Sequence, residues 1–235
     1  MIKRIEKDKI RIKTTNPINL PISNILANKI KNNWNEFIKN HNNYFDGEIF
    51  IVGSIKEENE IMNLEVSKGK YSYLIYAIDH KELKVLTLFS SILFKTKDNY
   101  YLFIKNNHDR LNIIGGLASP EDFDNNIYNP TKCLKREVLE ELGLDLDDKS
   151  IVSNYKMSFI SLPGTEDNIY PTGIVFMGEL TLDREELIDY FNNNKFDDEI
   201  KELVFYQEKD YQLIESIDNK EQYLPDLLIE LNKKD

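Results

Sequence analysis

The chain has one cysteine and one tryptophan among 235 residues. The lone Cys133 excludes an internal disulfide framework and any zinc site built on several thiolates, and it suits a reducing compartment, so the expected location is cytoplasmic. Met1 to Lys13 interleaves Lys, Arg and Glu with isolated Ile and lacks the apolar core of a signal peptide. No stretch approaches the ~18 continuous apolar residues of a membrane helix, and no membrane partner is expected. Basic residues are in deficit, 30 Lys+Arg against 41 Asp+Glu, for a formal charge of -11. That balance argues against a broad basic face for nucleic acid. An anionic small molecule stays open, provided local cations or a metal offset the field of the protein. Exchanging 13 Tyr for 9 Gly in the 41% hydrophobic fraction gives about 39%, below the ~45–50% of an average globular chain. With 12 Phe and 13 Tyr, the chain is nevertheless expected to fold around a core.

Ile25, Leu26, Ile30, Trp34, Phe37 and Ile38 recur at spacings of three and four and predict an amphipathic helix over Ser23 to His41. The runs EIFIVGSI, IMNLEVS, YSYLIYAI and LKVLTLFSSILFKT then read as strands separated by turn residues. Residues 1–88 are therefore expected to form a helix with antiparallel strands, and 89–235 a second domain. In the latter, YYLFIK predicts a strand, LNIIGGLA another, and Ser119 to Asn129 a long loop. Asn129 as N-cap, Pro130 at the first helical position and Gly143 at the C-terminal cap predict a helix over 130–142. Two further strands, a helix at REELIDYFNN, a strand at EIKELVFYQ and a terminal helix over 224–231 complete the pattern.

The chemistry gathers on the 130–142 helix. At about 100° per residue, Glu140 lies about 60° to one side of Glu137 and Glu141 about 40° to the other, while Leu134, Val138 and Leu142 occupy the neighbouring stripe. One stripe enters the core and the other holds three carboxylates. Glu137 and Glu141 are a like-charge i, i+4 pair near the negative end of the helix dipole, so something positive is expected beside them. Taken alone, three acids read most simply as a solvated helix face.

Their context is more specific. Arg136-Glu137-Val138-Leu139-Glu140-Glu141-Leu142-Gly143-Leu144 matches R-E-hydrophobic-x-E-E-x-G-hydrophobic and follows the pair Gly115-Gly116. This resembles the Nudix box of the Nudix hydrolases. The resemblance implies an α+β fold, an α/β/α sandwich with a mixed sheet, here carrying an N-terminal helix-and-strand extension. Two departures are visible: Gly116 and Arg136 stand 20 positions apart where the family has 14, and Tyr128 stands where the family has a Glu that braces the Arg. Glu121 or Asp122 is a candidate replacement for that Glu. The lengthened loop, Trp34, NNYFDGEIF and KGKYSYLIYAI look similar to a subset related to the UDP-glucose-cleaving Nudix hydrolases.

The resemblance implies Glu137, Glu140 and Glu141 as metal ligands with the Gly115 carbonyl, Arg136 holding the acids in place, and Mg²⁺ as the cofactor, with Mn²⁺ as an alternative. Glu199 is the favoured general base; Asp197, Asp198, Glu166 and Asp167 are competing candidates, and a solvated acidic turn is the plain alternative. Arg110 is a candidate phosphate contact or a surface charge. Tyr71 and Tyr73 are candidates for stacking on a base or for cross-strand packing. His108 and Cys133 read as an inert loop histidine and a packing residue.

The expected activity is Mg²⁺-dependent cleavage of a nucleoside diphosphate linked to another group, a nucleotide sugar such as UDP-glucose being the sharper choice. An isopentenyl diphosphate isomerase reading is disfavoured because it calls for a Cys on the strand side of the site. The alternative is a catalytically weak ligand-sensing or partner-binding module of the same fold. A homodimer is compatible with either reading.

Overall fold

The structure is a computed structural model that describes residues 2–5, 11–15, 17–41, 44–58, 61–162, 171–196, 199–207, 210–221 and 223–233. In chain order its early elements are β1 (Ile2–Arg4), β2 (Arg11–Thr14), β3 (Ile18–Asn19), α1 (Asn24–Asn40), β4 (Glu48–Glu58), β5 (Ile61–Lys70) and α2 (Tyr71–Asp79). The chain divides into two compact units. One comprises Lys7–Leu88 and Leu117–Asn129; the other comprises Met1–Glu6, Phe89–Gly116 and Pro130–Asp235.

In the unit holding Lys7–Leu88, β4 pairs antiparallel with β5 along its length. Beside this expected antiparallel pair, β2 and β3 add parallel pairing that the sequence did not suggest, lying on successive stretches of β5 with Arg11 opposite Ile61 and Ile18 opposite Ser67. A parallel pair needs a long crossover, and the chain supplies it through α1 and β4 before returning as β5. The core of this unit joins Ile30 of α1, Ile49 and Ile51 of β4 and Tyr76 of α2 to Leu83 and Val85.

A correction concerns YSYLIYAI, expected as a strand and found as α2. The reason is a cap supplied from elsewhere in the chain. Asp46 accepts from the main-chain N–H of Ser72 at 2.7 Å and from its hydroxyl at 3.1 Å, while the Tyr71 N–H donates to the Gly47 carbonyl at 2.9 Å. Two of the N–H groups that a helix start leaves unpaired are thereby satisfied, and Ser72 and Tyr76, one turn apart, are buried together.

The stretch expected as a long loop is organised as well. A short 3-10 turn at Pro120–Asp122 leads into a hairpin of β10 (Phe123–Asp124) and β11 (Ile127–Tyr128). Asn125 and Asn126 link them with φ of 50° and 65°, the left-handed pair that a two-residue type I′ turn requires and that Asn tolerates. Tyr128 is buried, its ring 5.5 Å from Phe123, which lies 4.1 Å from Phe50.

The other unit is built on one sheet of eight described strands. They include β6 (Leu88–Lys95), β7 (Tyr101–Asn106), β8 (Leu111–Asn112), β9 (Ile114–Leu117), β12 (Val152–Ser161), β13 (Thr172–Leu180) and β14 (Ile200–Tyr206). The order is β1-β12-β13-β6-β7-β14, with β8 on β7 and β9 on β6. Central β6 is buried on both faces over nearly its whole length, which is why its sequence shows no polar alternation. Around the sheet lie α3 (Pro130–Leu142), α4 (Arg184–Asn194), α5 (Tyr211–Glu215) and α6 (Leu224–Asn232). Cys133, Leu134, Val138 and Leu142 carry α3 into the core, and Leu224, Leu227 and Leu228 do the same for α6. The architecture is α+β, a mixed sheet with helices. Among the described residues no helix is long and apolar enough to cross a membrane.

Candidate functional site

The α3 helix has the bounds its sequence signals predict, and Gly143 ends it with φ +68° and its N–H on the Leu139 carbonyl at 2.9 Å, a left-handed cap. Once the helix is seated by its apolar stripe, Glu141 faces inward and is 8% exposed. A carboxylate there needs a donor. The main-chain N–H of Gly115 provides one at 2.9 Å.

Gly115 can do this because it has φ +138° and because a Cβ at that position would run into the Ser90 carbonyl and the Ser91 backbone. At Gly116 the constraint comes from the other side, since a Cβ would collide with the Glu137 carboxylate. The glycine pair thus lets β9 pass directly against the acidic face of α3. The positive charge expected beside the acids is Arg136. Its Nη1 lies 2.7 Å from Glu137 and 3.1 Å from Glu140, bridging two carboxylates that would otherwise repel. The Glu137 side chain is largely sequestered at 13% exposure, and that of Glu140 is open at 53%.

The donor set is all oxygen, suited to a hard divalent cation such as Mg²⁺. Glu137 and Glu140 share Arg136, and Glu141 is oriented by the glycine loop. Among the described residues no three His, Cys, Asp or Glu side chains already converge as a cation cage. An ion entering here would compete with Arg136 for two of the three acids.

The other residues nominated by the sequence fall in different surroundings. Glu199 is exposed immediately before β14; Asp197, Asp198, Glu166 and Asp167 lie outside the described residues. Arg110 pairs with Glu221, Nε to Oε1 at 3.3 Å. Burial pushes the Glu221 carboxyl up, partly opposed by the Arg110 charge. Tyr71 begins α2 and belongs to an aromatic group of its own unit, edge-on to Trp34 at 6.3 Å and stacked on Tyr44 at 6.0 Å. The cross-strand alternative for Tyr71 and Tyr73 falls with the strand. Cys133 is buried, its Sγ 3.9 Å from the Gly116 carbonyl oxygen. Asp122 is fully buried and accepts from the Ser119 N–H at 2.8 Å within its own turn. His108 is exposed in the loop after β7.

Sequence reasoning missed a buried polar group contributed by the C-terminal segment. Asn219 to Glu221 lies alongside Leu111: the Leu111 N–H donates to the Asn219 carbonyl and the Glu221 N–H to the Leu111 carbonyl, each at 2.9 Å. Tyr223, 4% exposed, donates its hydroxyl to Asn112 Oδ1 at 2.9 Å. Burial holds that phenol protonated, and the negative charges of Glu221 and Glu141 act in the same direction. The stretch 110–112, three residues before Gly115, is thus held from the C-terminal side. Nothing periodic or motif-like in NKEQYLPD announces this role.

A scan against protein-family models finds no match, and a search of curated proteins finds none either. Solved structures do match. A NUDIX hydrolase from Nitrosomonas europaea covers 61% of this chain and 85% of its own at 16% identity, with a TM-score of 0.39. The NUDIX domain of Shewanella oneidensis NrtR, solved in complex with ADP-ribose, covers 67% and 95% at 8% identity and a TM-score of 0.45. The Deinococcus radiodurans protein DR0079 covers 79% of this chain and 99% of its own at 10% identity, with a TM-score of 0.50. The chain therefore has Nudix proteins among its structural neighbours and an α+β fold similar to that of the Deinococcus protein.

Proposed function

We propose that the protein is a divalent-cation-dependent hydrolase of the Nudix type that splits the diphosphate of a nucleoside diphosphate linked to another group. The observation that carries this reading is the set of three carboxylates on one helix, with Glu141 fixed to the main chain of Gly115 and the other two bridged by Arg136. A diphosphate resists attack by water because its own oxygens are negative. Bound at this site, Mg²⁺ or Mn²⁺ would neutralise those oxygens and make water a better nucleophile. Glu137, Glu140 and Glu141 would hold the ion with the Gly115 carbonyl. Arg136 would keep Glu137 and Glu140 from splaying, a task for a planar fork of donors. Glu199, exposed before β14, would take the proton from the attacking water, and Arg110 would exchange Glu221 for a substrate phosphate. Within this class the substrate we favour is a nucleotide sugar such as UDP-glucose, on the strength of the lengthened glycine-to-arginine loop and the Trp34 pattern. The lone buried Cys133 supports a cytoplasmic setting.

A second reading, a ligand-sensing module of the same fold without turnover, is supported by Arg136 already neutralising two of the three acids. One experiment separates them. Purified protein with Mg²⁺ is offered NDP-sugars, ADP-ribose, dinucleoside polyphosphates and NTPs, and phosphorylated products are measured. The hydrolase reading expects metal-dependent release from at least one substrate, lost by about 100-fold or more in Glu141→Gln with the thermal melt retained, since even outer partners of metal ligands are worth roughly 10–100-fold. Full activity in that variant removes the site.

A further inference from the structure

Glycine is the most permissive residue of the backbone, so the pair Gly115-Gly116 orients a metal ligand only if its surroundings are held. Along the pair itself β9 lies on β6. Upstream, Ile113 and Ile114 are fully buried, and the stretch before them is gripped by the C-terminal segment. Leu111 makes main-chain hydrogen bonds with both Asn219 and Glu221, and the Arg110 side chain pairs with that of Glu221.

The last point of this grip is made by a side chain. Asn112 Oδ1 accepts twice, from the Ile113 N–H at 2.8 Å and from the Tyr223 hydroxyl at 2.9 Å. The first bond is local and moves with its own backbone; the second ties Asn112 to an element remote in the chain. Tyr223 is a firm anchor. Its buried ring lies 5.5 Å from Phe89 of β6, and it leads directly into α6, which Leu224, Leu227 and Leu228 fix in the core. The phenol is also near enough to Glu141 for that charge to oppose its ionisation.

We propose that Tyr223 is a positioning residue for the cation site, acting through Asn112 on the strand that presents Gly115 to Glu141. The inference rests on the hydrolase reading, in which Glu137, Glu140, Glu141 and the Gly115 carbonyl hold the ion. Packing against Phe89 needs only the ring, and a phenylalanine would fill that space without burying a hydroxyl. A buried hydroxyl is costly unless its hydrogen bond is made, and here the bond goes to the side chain three positions before Gly115. Buried and with its hydrogen committed to Asn112, the hydroxyl is not placed to meet a substrate. It serves as a fixed point for the glycine strand, so that the Gly115 N–H and carbonyl keep their directions when an ion draws on the Glu141 carboxylate.

The test is Mn²⁺ binding by the whole chain, with free ion followed by its electron paramagnetic resonance signal and a thermal melt run on each preparation. Tyr223→Phe keeps the ring against Phe89 and removes only the oxygen. Its Mn²⁺ affinity is expected to fall about tenfold, the lower end of what outer partners of metal ligands contribute, with the melt nearly unchanged. Asn112→Ala should weaken binding at least as much, and adding Tyr223→Phe to it should weaken binding no further, because the two residues act along one path. Tyr155→Phe, which removes a phenol from β12, should bind as the parent does. If Asn112→Ala does not fold, the single Tyr223→Phe variant decides. Parent-like affinity in Tyr223→Phe, a lowered melt without a loss of affinity, or an equal further loss on top of Asn112→Ala overturns the inference and leaves the cation site standing. A parent protein that binds no Mn²⁺ removes the site itself and the inference with it.

Discussion

The main-chain N–H of Gly115 donates to the Glu141 carboxylate at 2.9 Å, joining β9 to a helical residue 26 positions further on. A backbone donor cannot rotate away as a side chain can, so the carboxylate it holds is oriented before any ligand arrives. The hydrogen bond depends on a residue with φ +138° and no Cβ, and the neighbouring Gly116 leaves room for Glu137. The two glycines serve the same acidic face by different means, which makes their replacement informative.

Gly115→Ala places a methyl group against the Ser90 carbonyl and the Ser91 backbone in a strained conformation, and is expected to destabilise the protein by about 1–3 kcal/mol. Gly116→Ala meets first the carboxylate end of the Glu137 side chain, which can swing aside. It should leave stability nearly intact and lower metal-dependent turnover, on the order of tenfold. Urea denaturation and steady-state kinetics on the same preparations check both. Equal effects of the two substitutions on stability would show that Glu137 has no freedom to move.

Arg136→Lys keeps the charge and replaces the planar guanidinium whose Nη1 bridges Glu137 at 2.7 Å and Glu140 at 3.1 Å. A lysine ammonium is a point charge and does not reproduce that bridge. Turnover is expected to fall roughly 10–100-fold, the usual cost of removing a group that orients metal ligands. The thermal melt should change little, because one of the two acids is half exposed. Kinetics as a function of Mg²⁺ concentration, with a melt as control, measure the difference.

Tyr76 and Glu82 form a pair whose pH dependence has a definite sign. The hydrogen bond to Glu82, reinforced by burial, pushes the Tyr76 phenol from 10.0 up to about 12. The folded protein therefore holds a proton that the unfolded chain releases near pH 10, so this contribution is complete below pH 10 and is lost as pH rises through about 12. The same hydrogen bond, with that from Lys29, lowers the Glu82 carboxyl. Its contribution is present above the ordinary carboxylate range and disappears as pH falls through the lowered value. Unfolding midpoints measured across the alkaline range should decline less steeply in Tyr76→Phe than in the parent; parallel curves would show that the pair has no linkage to stability.

Where signals are local, the sequence is sufficient. Pro130, the apolar stripe of Leu134, Val138 and Leu142, and Gly143 fix both ends and the inward face of α3, because caps and periodicity act within a turn or two. The same stripe places Glu137, Glu140 and Glu141 together on an adjoining face, so the acidic set and its need for a positive neighbour could be read before any fold was known. Gly115 and Gly116 were likewise visible as a pair, although their separate tasks were not.

What tertiary structure alone decided was which distant group completes each local preference. Tyr71 to Ile78 is an aromatic and apolar run that reads as a strand, yet Asp46 caps its first turn and it forms a helix. Arg11 to Asn19 contains two short stretches whose parallel pairing with β5 depends on a crossover through α1 and β4. Asn112 receives Tyr223 from more than a hundred residues away, and Glu141 receives its donor from a glycine on another element. A sequence specifies periodicity and capping because those forces act between near neighbours; it leaves open which remote donor reaches a buried acceptor, since chain folding alone brings the two together.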